Sequence, residues 1–124
     1  MKYKLLQRRN LQQPDAPQKW YASPVNAGKV SQKDISNDIV ALSSLSRGDV
    51  SNVIDSLLDT LPKYLLMGKS VSLGDLGTFR LSFSSKGADT PESFNTSLIS
   101  GAKIIFTPSS ELRQKISNVK LEKQ

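Results

Sequence analysis

The chain has 124 residues, a length that suits one modest domain. Lys and Arg number 17 against 11 Asp and Glu, so the formal net charge is +6, which favours a polyanionic partner. Cysteine and histidine are absent, which excludes disulfides and the commonest general base, and no apolar run approaches the ~20 residues that a membrane helix needs.

Residues 1–30 are predicted to form a β extension that docks on the rest of the chain. Lys2 to Arg9 alternates loosely, residues 19–23 are aromatic and strand-like, and the prolines between them predict a turn. The extension has six basic residues against Asp15 alone, a net charge of +5. Its aromatic side chains are Tyr3, Trp20 and Tyr21. We expect them to provide packing for the added strands, and the alternative is that they stack on RNA bases.

Two helices are predicted next, each with a capping-box start. The first begins at Ser31 with Asp34 three residues later, and the second at Ser46 with Asp49 in the same position. The apolar stripe of the first helix consists of Ile35, Ile39 and Leu42. The second helix is predicted to bury a wider face, formed by Val50, Val53, Ile54, Leu57, Leu58 and Leu61.

The second helix also carries features that bear on its end and on its function. Pro62 is expected to kink or locally disrupt it, and Gly68 to stop it. Its outer face is acidic, with Asp49, Asp55 and Asp59. A helix that reads a DNA groove needs basic and amide side chains there, so this role is not expected.

The stretch from Val71 to Arg80 predicts two short strands joined at a glycine corner. Apolar residues alternate with polar ones before and after the corner: Val71 and Leu73, then Phe79, Leu81 and Phe83. Gly74 and Gly77 mark positions where the backbone excludes larger residues. The two glycines also fit the G-x-x-G pattern of an RNA-clamping loop, but the flanking strands and Asp75 indicate a structural corner.

The remainder of the chain is predicted to hold an arm, a strand and a helix. Residues 84–101 are poor in apolar side chains and form either a long hairpin arm or a loop. A strand over 103–107 should point Ile104 and Phe106 inward, and Lys103, Ile105 and Thr107 outward. The last helix opens at residues 108–111, and its stripe is Leu112, Ile116 and Val119.

The composition argues against catalysis. Serine is abundant, but no histidine is present to activate it. Capping and the helix dipole account for the carboxylates on the predicted helices. We therefore expect no enzymatic activity, no cofactor and no metal site.

The order of these elements, with the glycine corner at its centre, resembles the HU and integration host factor family of bacterial histone-like DNA-binding proteins. The matching positions lie within residues 31–120 and are Val71, Leu73, Leu76, Gly77, Thr78, Phe79, Ile104, Phe106 and Leu112. The chain is most similar to the divergent HU-like proteins of Bacteroidetes, which add a basic N-terminal segment. The patterns shared with that branch are Lys-Tyr-Lys-Leu at 2–5, Lys-Trp-Tyr-Ala at 19–22 and Leu-Gly-Asp-Leu-Gly-Thr-Phe-Arg-Leu-Ser at 73–82.

The resemblance implies an α+β fold: two helices, an antiparallel sheet with an extended β-arm and a short terminal helix in residues 31–124, preceded by the β extension. It also implies an obligate homodimer that binds double-stranded DNA with low specificity in the nucleoid, mainly through phosphate contacts. Pro91 falls near the family's arm-tip proline, which wedges between base steps. The residues expected to contact DNA are Arg80, Ser82, Ser84, Lys86, Pro91 and Lys103, with Lys2, Lys4, Arg8 and Arg9 of the extension.

Two departures from the family pattern leave a second hypothesis open. The corner reads Asp75-Leu76-Gly77 where the family commonly has Gly-Phe-Gly, and the arm lacks arginine and carries Asp89 and Glu92. The alternative is a dimeric structural or interaction module that keeps the HU scaffold with weak or lost DNA binding. Both hypotheses predict a cytoplasmic protein without a membrane or small-molecule partner.

Overall fold

The structure, a computed structural model that describes all 124 residues, is a mixed α+β fold with three α-helices and two sheets. This confirms the predicted fold class. In chain order the elements are β1 (Lys2–Arg8), β2 (Lys19–Pro24), α1 (Gln32–Leu42), α2 (Arg47–Leu65), β3 (Val71–Ser72), β4 (Gly77–Ser85), a 3₁₀ turn (Thr96–Leu98), β5 (Ile99–Pro108), α3 (Ser110–Ile116) and β6 (Glu122–Lys123).

The first sheet joins the two ends of the chain in the order β2-β1-β6. β1 and β2 are the two predicted strands of the extension, and they pair as an antiparallel hairpin, from Tyr3 opposite Pro24 to Arg8 opposite Lys19. β6 pairs in parallel with the start of β1, and no pattern in the sequence predicted this strand. The division of the chain at residue 30 stays a prediction, because the sheet of the extension includes a strand from the other end of the chain.

Both predicted helix starts are confirmed by complete capping boxes. The hydroxyl of Ser31 accepts the N–H of Asp34 at 3.2 Å, and the Asp34 carboxylate accepts the N–H of Ser31 at 3.2 Å. Ser46 and Asp49 make the same pair of bonds, at 3.1 and 2.9 Å. The backbone N–H of Ser46 and then its hydroxyl hold the pKa of the Asp49 carboxyl below its usual value.

α2 continues through Pro62 and ends at Leu65, so the proline does not terminate the helix. A proline has no N–H, so the ladder loses one bond there, while the Pro62 carbonyl still accepts the N–H of Leu66 at 2.9 Å. The chain turns away at Gly68, whose φ of 77° suits glycine. The buried apolar side chains of the whole chain are Val50 and Leu65, both in this helix.

The buried faces of the two helices are narrower than predicted. In α1, Leu42 is 87% exposed and the small Ser36 takes a buried position instead. In α2, Val53 and Leu58 are 53% and 72% exposed. The half-buried apolar side chains of α2 are Ile54, Leu57 and Leu61. Each helix packs along one stripe, so apolar residues beside that stripe remain uncovered in the single chain.

The second sheet, in the order β3-β4-β5, contains the predicted glycine corner. The N–H of Leu73 donates to the Gly77 carbonyl at 2.9 Å, which closes the corner. Gly74 and Gly77 both have positive φ, 61° and 147°. A Cβ atom at Gly77 would overlap the carbonyl oxygen of Thr107 and lie 2.6 Å from the Phe106 ring, so only glycine fits there.

β5 is longer than the predicted strand, and the burial of two of its side chains differs from the prediction. Phe106 lies opposite Phe79 with ring centroids 4.9 Å apart, as an inward pair should. Ile104 was also predicted to be inward but is 61% exposed, because nothing in the single chain covers that part of the sheet. Ile105, predicted to be outward, is half-buried opposite Arg80, whose aliphatic stem is its cross-strand neighbour.

α3 is shorter than predicted. Ser109 caps it by accepting the N–H of Leu112 at 3.0 Å, and the side chain of Leu112 is half-buried. The helix ends at Ile116, which is 63% exposed. Val119 was predicted on the stripe of this helix but lies beyond it, in the segment that leads to β6.

Candidate nucleic-acid interface

One face of the β4–β5 ribbon holds three of the predicted DNA contacts. Ser82 lies opposite Lys103 and Arg80 opposite Ile105, and strand alternation puts all four on the same face. Arg80 and Lys103 are exposed, and Ser82 is partly exposed. Two cations with a hydroxyl between them on an open sheet face suit contacts to phosphate oxygens. We refer to Arg80, Ser82 and Lys103 as the ribbon face.

The ribbon changes register before its tip. Ser82 and Ser84 are separated by a register shift, after which Ser84 lies opposite Ser100, whose hydroxyl donates to the Ser84 carbonyl at 3.3 Å. The last bond of the ribbon joins the N–H of Lys86 to the Leu98 carbonyl at 2.8 Å. The extended arm is therefore a paired ribbon that closes in a loop, because the polar residues that follow have few strand formers.

Pro91 lies in a hydrogen-bonded turn of this loop. Thr90 and Ser93 bond each other across it: the hydroxyl of each accepts the backbone N–H of the other, at 3.1 and 3.2 Å. Asp89 and Glu92 flank the proline closely in sequence. This is the geometry of an ordinary turn proline. Its role as a wedge between bases stays a prediction.

The β1–β2 hairpin has one basic face. The basic residues of β1 on that face are Lys2, Lys4 and Arg8. Lys19 lies directly opposite Arg8 and extends the face onto β2. Arg9, predicted to act with them, lies just past the end of β1. The sequence did not single out Lys19, because its alignment with Arg8 depends on a hairpin register that the long loop leaves open.

The aromatic residues of the hairpin lie on different faces. Tyr21 lies opposite Leu6 on the basic face, whereas Tyr3 and Trp20 are on the other face with Leu5. Trp20 is 64% exposed and Tyr21 48%, so the single chain does not bury them between the added strands as expected. The three aromatic residues therefore do not form one stacking surface, and RNA binding through them stays an alternative.

The positive charge of the chain is concentrated in the hairpin segment. Residues 1–30 have a net charge of +5, whereas residues 31–124 have eleven basic and ten acidic residues and a net charge of +1. No group of three or more His, Cys, Asp or Glu side chains is placed to hold a metal ion. None of the helices combines the length and the apolar character needed to cross a membrane.

Comparisons with known proteins agree on the kind of domain. Residues 1–123 match the model of a family described as "HU domain fused to wHTH, Ig, or Glycine-rich motif". No curated protein matches the chain.

Two solved structures are similar in fold. A Bacteroides vulgatus protein described as a candidate bacterial DNA-binding protein aligns with a TM-score of 0.61 and 15% identity, over 98% of this chain and 47% of its own. The chain thus spans about half the length of that relative. The HU protein of Anabaena, from a cocrystal structure with DNA, aligns with a TM-score of 0.54 and 15% identity, over 73% of this chain and all of its own.

Proposed function

Because the chain belongs to the family of HU domains fused to wHTH, Ig or glycine-rich motifs, we propose that it is a non-catalytic architectural protein that binds double-stranded DNA in the nucleoid. The observation that carries this proposal is the ribbon face: Arg80, Ser82 and Lys103 point the same way on an exposed sheet. The fold that presents this face resembles that of Anabaena HU, which was crystallised with DNA.

The proposed contacts are mainly to phosphates. Lys and Arg side chains release counterions when they neutralise phosphates, and hydroxyls can add hydrogen bonds. We assign this role to the ribbon face, and further contacts along the arm to Ser84, Lys86 and Pro91. The extension would add charge through Lys2, Lys4, Arg8 and Arg9, which is needed because the rest of the chain is almost neutral.

Low sequence specificity follows from the surfaces that carry charge. Base readout in the major groove usually requires a helix or ribbon with amide and guanidinium groups aimed at base edges. The acids of α2, Asp49, Asp55 and Asp59, are all exposed and would repel a phosphate backbone. The ribbon face offers a guanidinium, an ammonium and a hydroxyl, which suit positioning on the backbone.

The working form is proposed to be a homodimer. A chain of this size normally buries a larger core than Val50 and Leu65. Several apolar side chains of α2 and of the β4–β5 ribbon are exposed in the single chain, and a second copy would cover them: Val53, Leu58, Phe83 and Ile104. A shallow groove of about 300 Å³ on α2, lined in part by Val53 and Leu57, suits a side chain from such a partner.

Titration of several unrelated DNA duplexes at low and moderate salt tests the proposal. If six to ten phosphates are contacted, affinity should fall by about 10³- to 10⁵-fold between about 50 and 200 mM salt, and similarly for every duplex. A preference for one sequence that persists at high salt would contradict low specificity. No binding at about 50 mM salt would support the alternative, an HU-like module that serves as a structural or interaction partner.

A further inference from the structure

The loop end of the β1–β2 hairpin encloses a cleft of about 640 Å³, a volume typical of small-ligand sites. Its walls include three cations and an aromatic ring from the strands and their ends, together with amide side chains from the loop. The residues that bear on its chemistry are Arg8, Arg9, Lys19, Tyr21, Gln12 and Gln13. No carboxylate lines this cleft, although Asp15 is in the same loop.

The charges in the cleft are arranged unfavourably for the hairpin alone. Arg8 and Lys19 are directly opposite each other across β1 and β2. Like charges in that position destabilise a strand pair, and this pair sits in a hairpin with little packing to compensate. A bound anion between the two side chains would convert the repulsion into two attractive contacts.

Tyr21 adds a second kind of contact to the same place. It is two residues from Lys19 along β2, so the two side chains project from the same face. Tyr21 is 48% exposed and lines the cleft. An exposed aromatic ring beside cations is the combination with which proteins hold a nucleotide, because the ring stacks on the base while the cations contact phosphate.

We propose that this cleft binds one unpaired nucleotide of a nucleic-acid strand, with its phosphate between Arg8 and Lys19 and its base stacked on Tyr21. The base faces of an intact duplex are already covered by their neighbours, so the ring can stack only on an unstacked base. Gln12 and Gln13 offer donors and acceptors to the base edge. This inference rests on the proposed nucleic-acid binding and adds a site for single-stranded segments, separate from the ribbon face.

The experiment measures binding of the full chain to a labelled thymidine strand of about 15 nucleotides, within the range that single-strand binding folds cover, and to a blunt duplex of the same length. Two variants of one residue are compared, Tyr21→Ala and Tyr21→Phe. We expect Tyr21→Ala to weaken binding to the single strand by about 5- to 150-fold, the effect of removing one base stack, and to leave duplex binding within about twofold. Tyr21→Phe keeps the ring and should bind as the parent does.

A second pair of variants tests the phosphate contact. Lys19→Gln should weaken single-strand binding and also raise the midpoint of thermal unfolding, because it relieves repulsion from Arg8. Lys29→Gln removes an equal charge from a residue that does not line the cleft, and should do neither. Free thymidine monophosphate should compete only weakly, since it lacks the contacts of a strand.

The outcomes separate this inference from the proposed function. If Tyr21→Ala binds the single strand as the parent does, or weakens both DNA forms equally, the nucleotide site is overturned while the proposal of duplex binding stands. The inference would also be overturned if free thymidine monophosphate saturated the protein without displacing the labelled strand, because the nucleotide and the strand would then occupy different sites. If the parent binds the single strand in a Tyr21-dependent way but no duplex, the site stands and the duplex-binding proposal fails.

Discussion

Ser109 and Asp75 join the last helix to the glycine corner through one hydroxyl group. The Ser109 hydroxyl donates to the backbone carbonyl of Asp75 and at the same time accepts the N–H of Leu112 at 3.0 Å. The N–H of Ser109 also donates to the Leu76 carbonyl at 3.3 Å. The helix cap and the corner are therefore held by the same residue, so a change at this residue affects two elements.

Ser109→Ala should lower the free energy of unfolding by about 1–3 kcal/mol, because it removes a helix cap and a second hydrogen bond. Chemical denaturation followed by circular dichroism measures the change. Ser110→Ala is the matched control, since Ser110 is the exposed first residue of the helix rather than its cap, and its effect should stay within about 0.5 kcal/mol. Equal losses in the two variants would show that the shared hydroxyl is not what stabilises this junction.

A glycine series tests the corner. Gly77→Ala should be the most damaging, at about 3 kcal/mol or more, because the new methyl group would overlap Thr107 and Phe106 and the φ of 147° is strained. Gly74→Ala has positive φ but open space, and should cost about 1–2 kcal/mol. Gly87→Ala has neither problem and should be close to neutral. A thermal or chemical unfolding series that departs from this order would contradict the geometry.

The dimer proposal predicts different effects for three changes to aspartate. Val53→Asp places a charge on a residue that is 53% exposed in the single chain, so it should block association while the helices still form. Leu57→Asp should abolish folding and association together, because it places an unpaired charge on a residue that is half-buried in the single chain and also lines the α2 groove. Leu11→Asp, at an 88% exposed position in the hairpin loop, should change neither. Sedimentation at micromolar concentration measures the mass, and a stable parent monomer would exclude the dimer.

The ribbon face and the extension can be tested as separate sources of DNA affinity. Arg80→Ala with Lys103→Ala should weaken binding to all duplexes alike and flatten the salt dependence, by about one unit of slope for each phosphate that is no longer neutralised. Lys33→Ala with Lys63→Ala removes the same charge from the helices and serves as the control. Circular dichroism should show an intact fold in both.

A third charge variant completes this test by removing the basic residues of the extension together: Lys2, Lys4, Arg8 and Arg9. Under the proposed function, at least one of the ribbon and extension variants must lose duplex affinity relative to the helix control. If both bind duplex DNA as the parent does, neither surface is the DNA site. The interpretation as an HU-like structural module would then be preferred.

We expect the capping carboxylate of Asp49 to cause an acid-dependent loss of stability at the start of α2. Its carboxyl pKa is lowered in the folded chain, first by the N–H of Ser46 and then by the Ser46 hydroxyl. The contribution is therefore present above the unfolded pKa, near 3.8, and is lost as pH falls through the lower folded value. Thermal unfolding between about pH 7 and pH 3 should show a smaller acid effect in Asp49→Asn than in the parent. Asp55→Asn, which removes a carboxylate from the same helix outside the capping box, is the control.

Local chemistry could be predicted from the sequence, whereas contacts distant along the chain could not. Ser31 with Asp34 specifies a helix start within four residues, and Gly74 is required only by its own backbone angle, whereas the contacts of Gly77 with Thr107 and Phe106 could not be predicted. Leu42 and Leu58 fell on predicted stripes but are exposed, because no other element of the single chain packs over them. Periodicity identifies an apolar face without identifying what packs against it.

The candidate site shows the same limit. Alternation correctly placed Arg80 and Lys103 on one face of their strands, although Ile105 proved to be half-buried there. The position of Lys19 opposite Arg8 could not be predicted. It depends on the register of a hairpin with a long loop, which side-chain patterns specify weakly. β6 was missed because two residues, Glu122 and Lys123, are too few to show alternation.

The pairing of β6 with β1 also constrains the order in which the molecule can form. The N-terminal ammonium of Met1 donates to the carbonyl of Lys120 at 2.8 Å, across 119 positions of sequence. Along the chain the β1–β2 hairpin is synthesised before β6, so the outer edge of β1 stays unpaired until the residues between them have been made. Closing so long a loop is entropically costly, which places this step late in folding. Until then, the most basic segment of the nascent chain keeps the edge of β1 open.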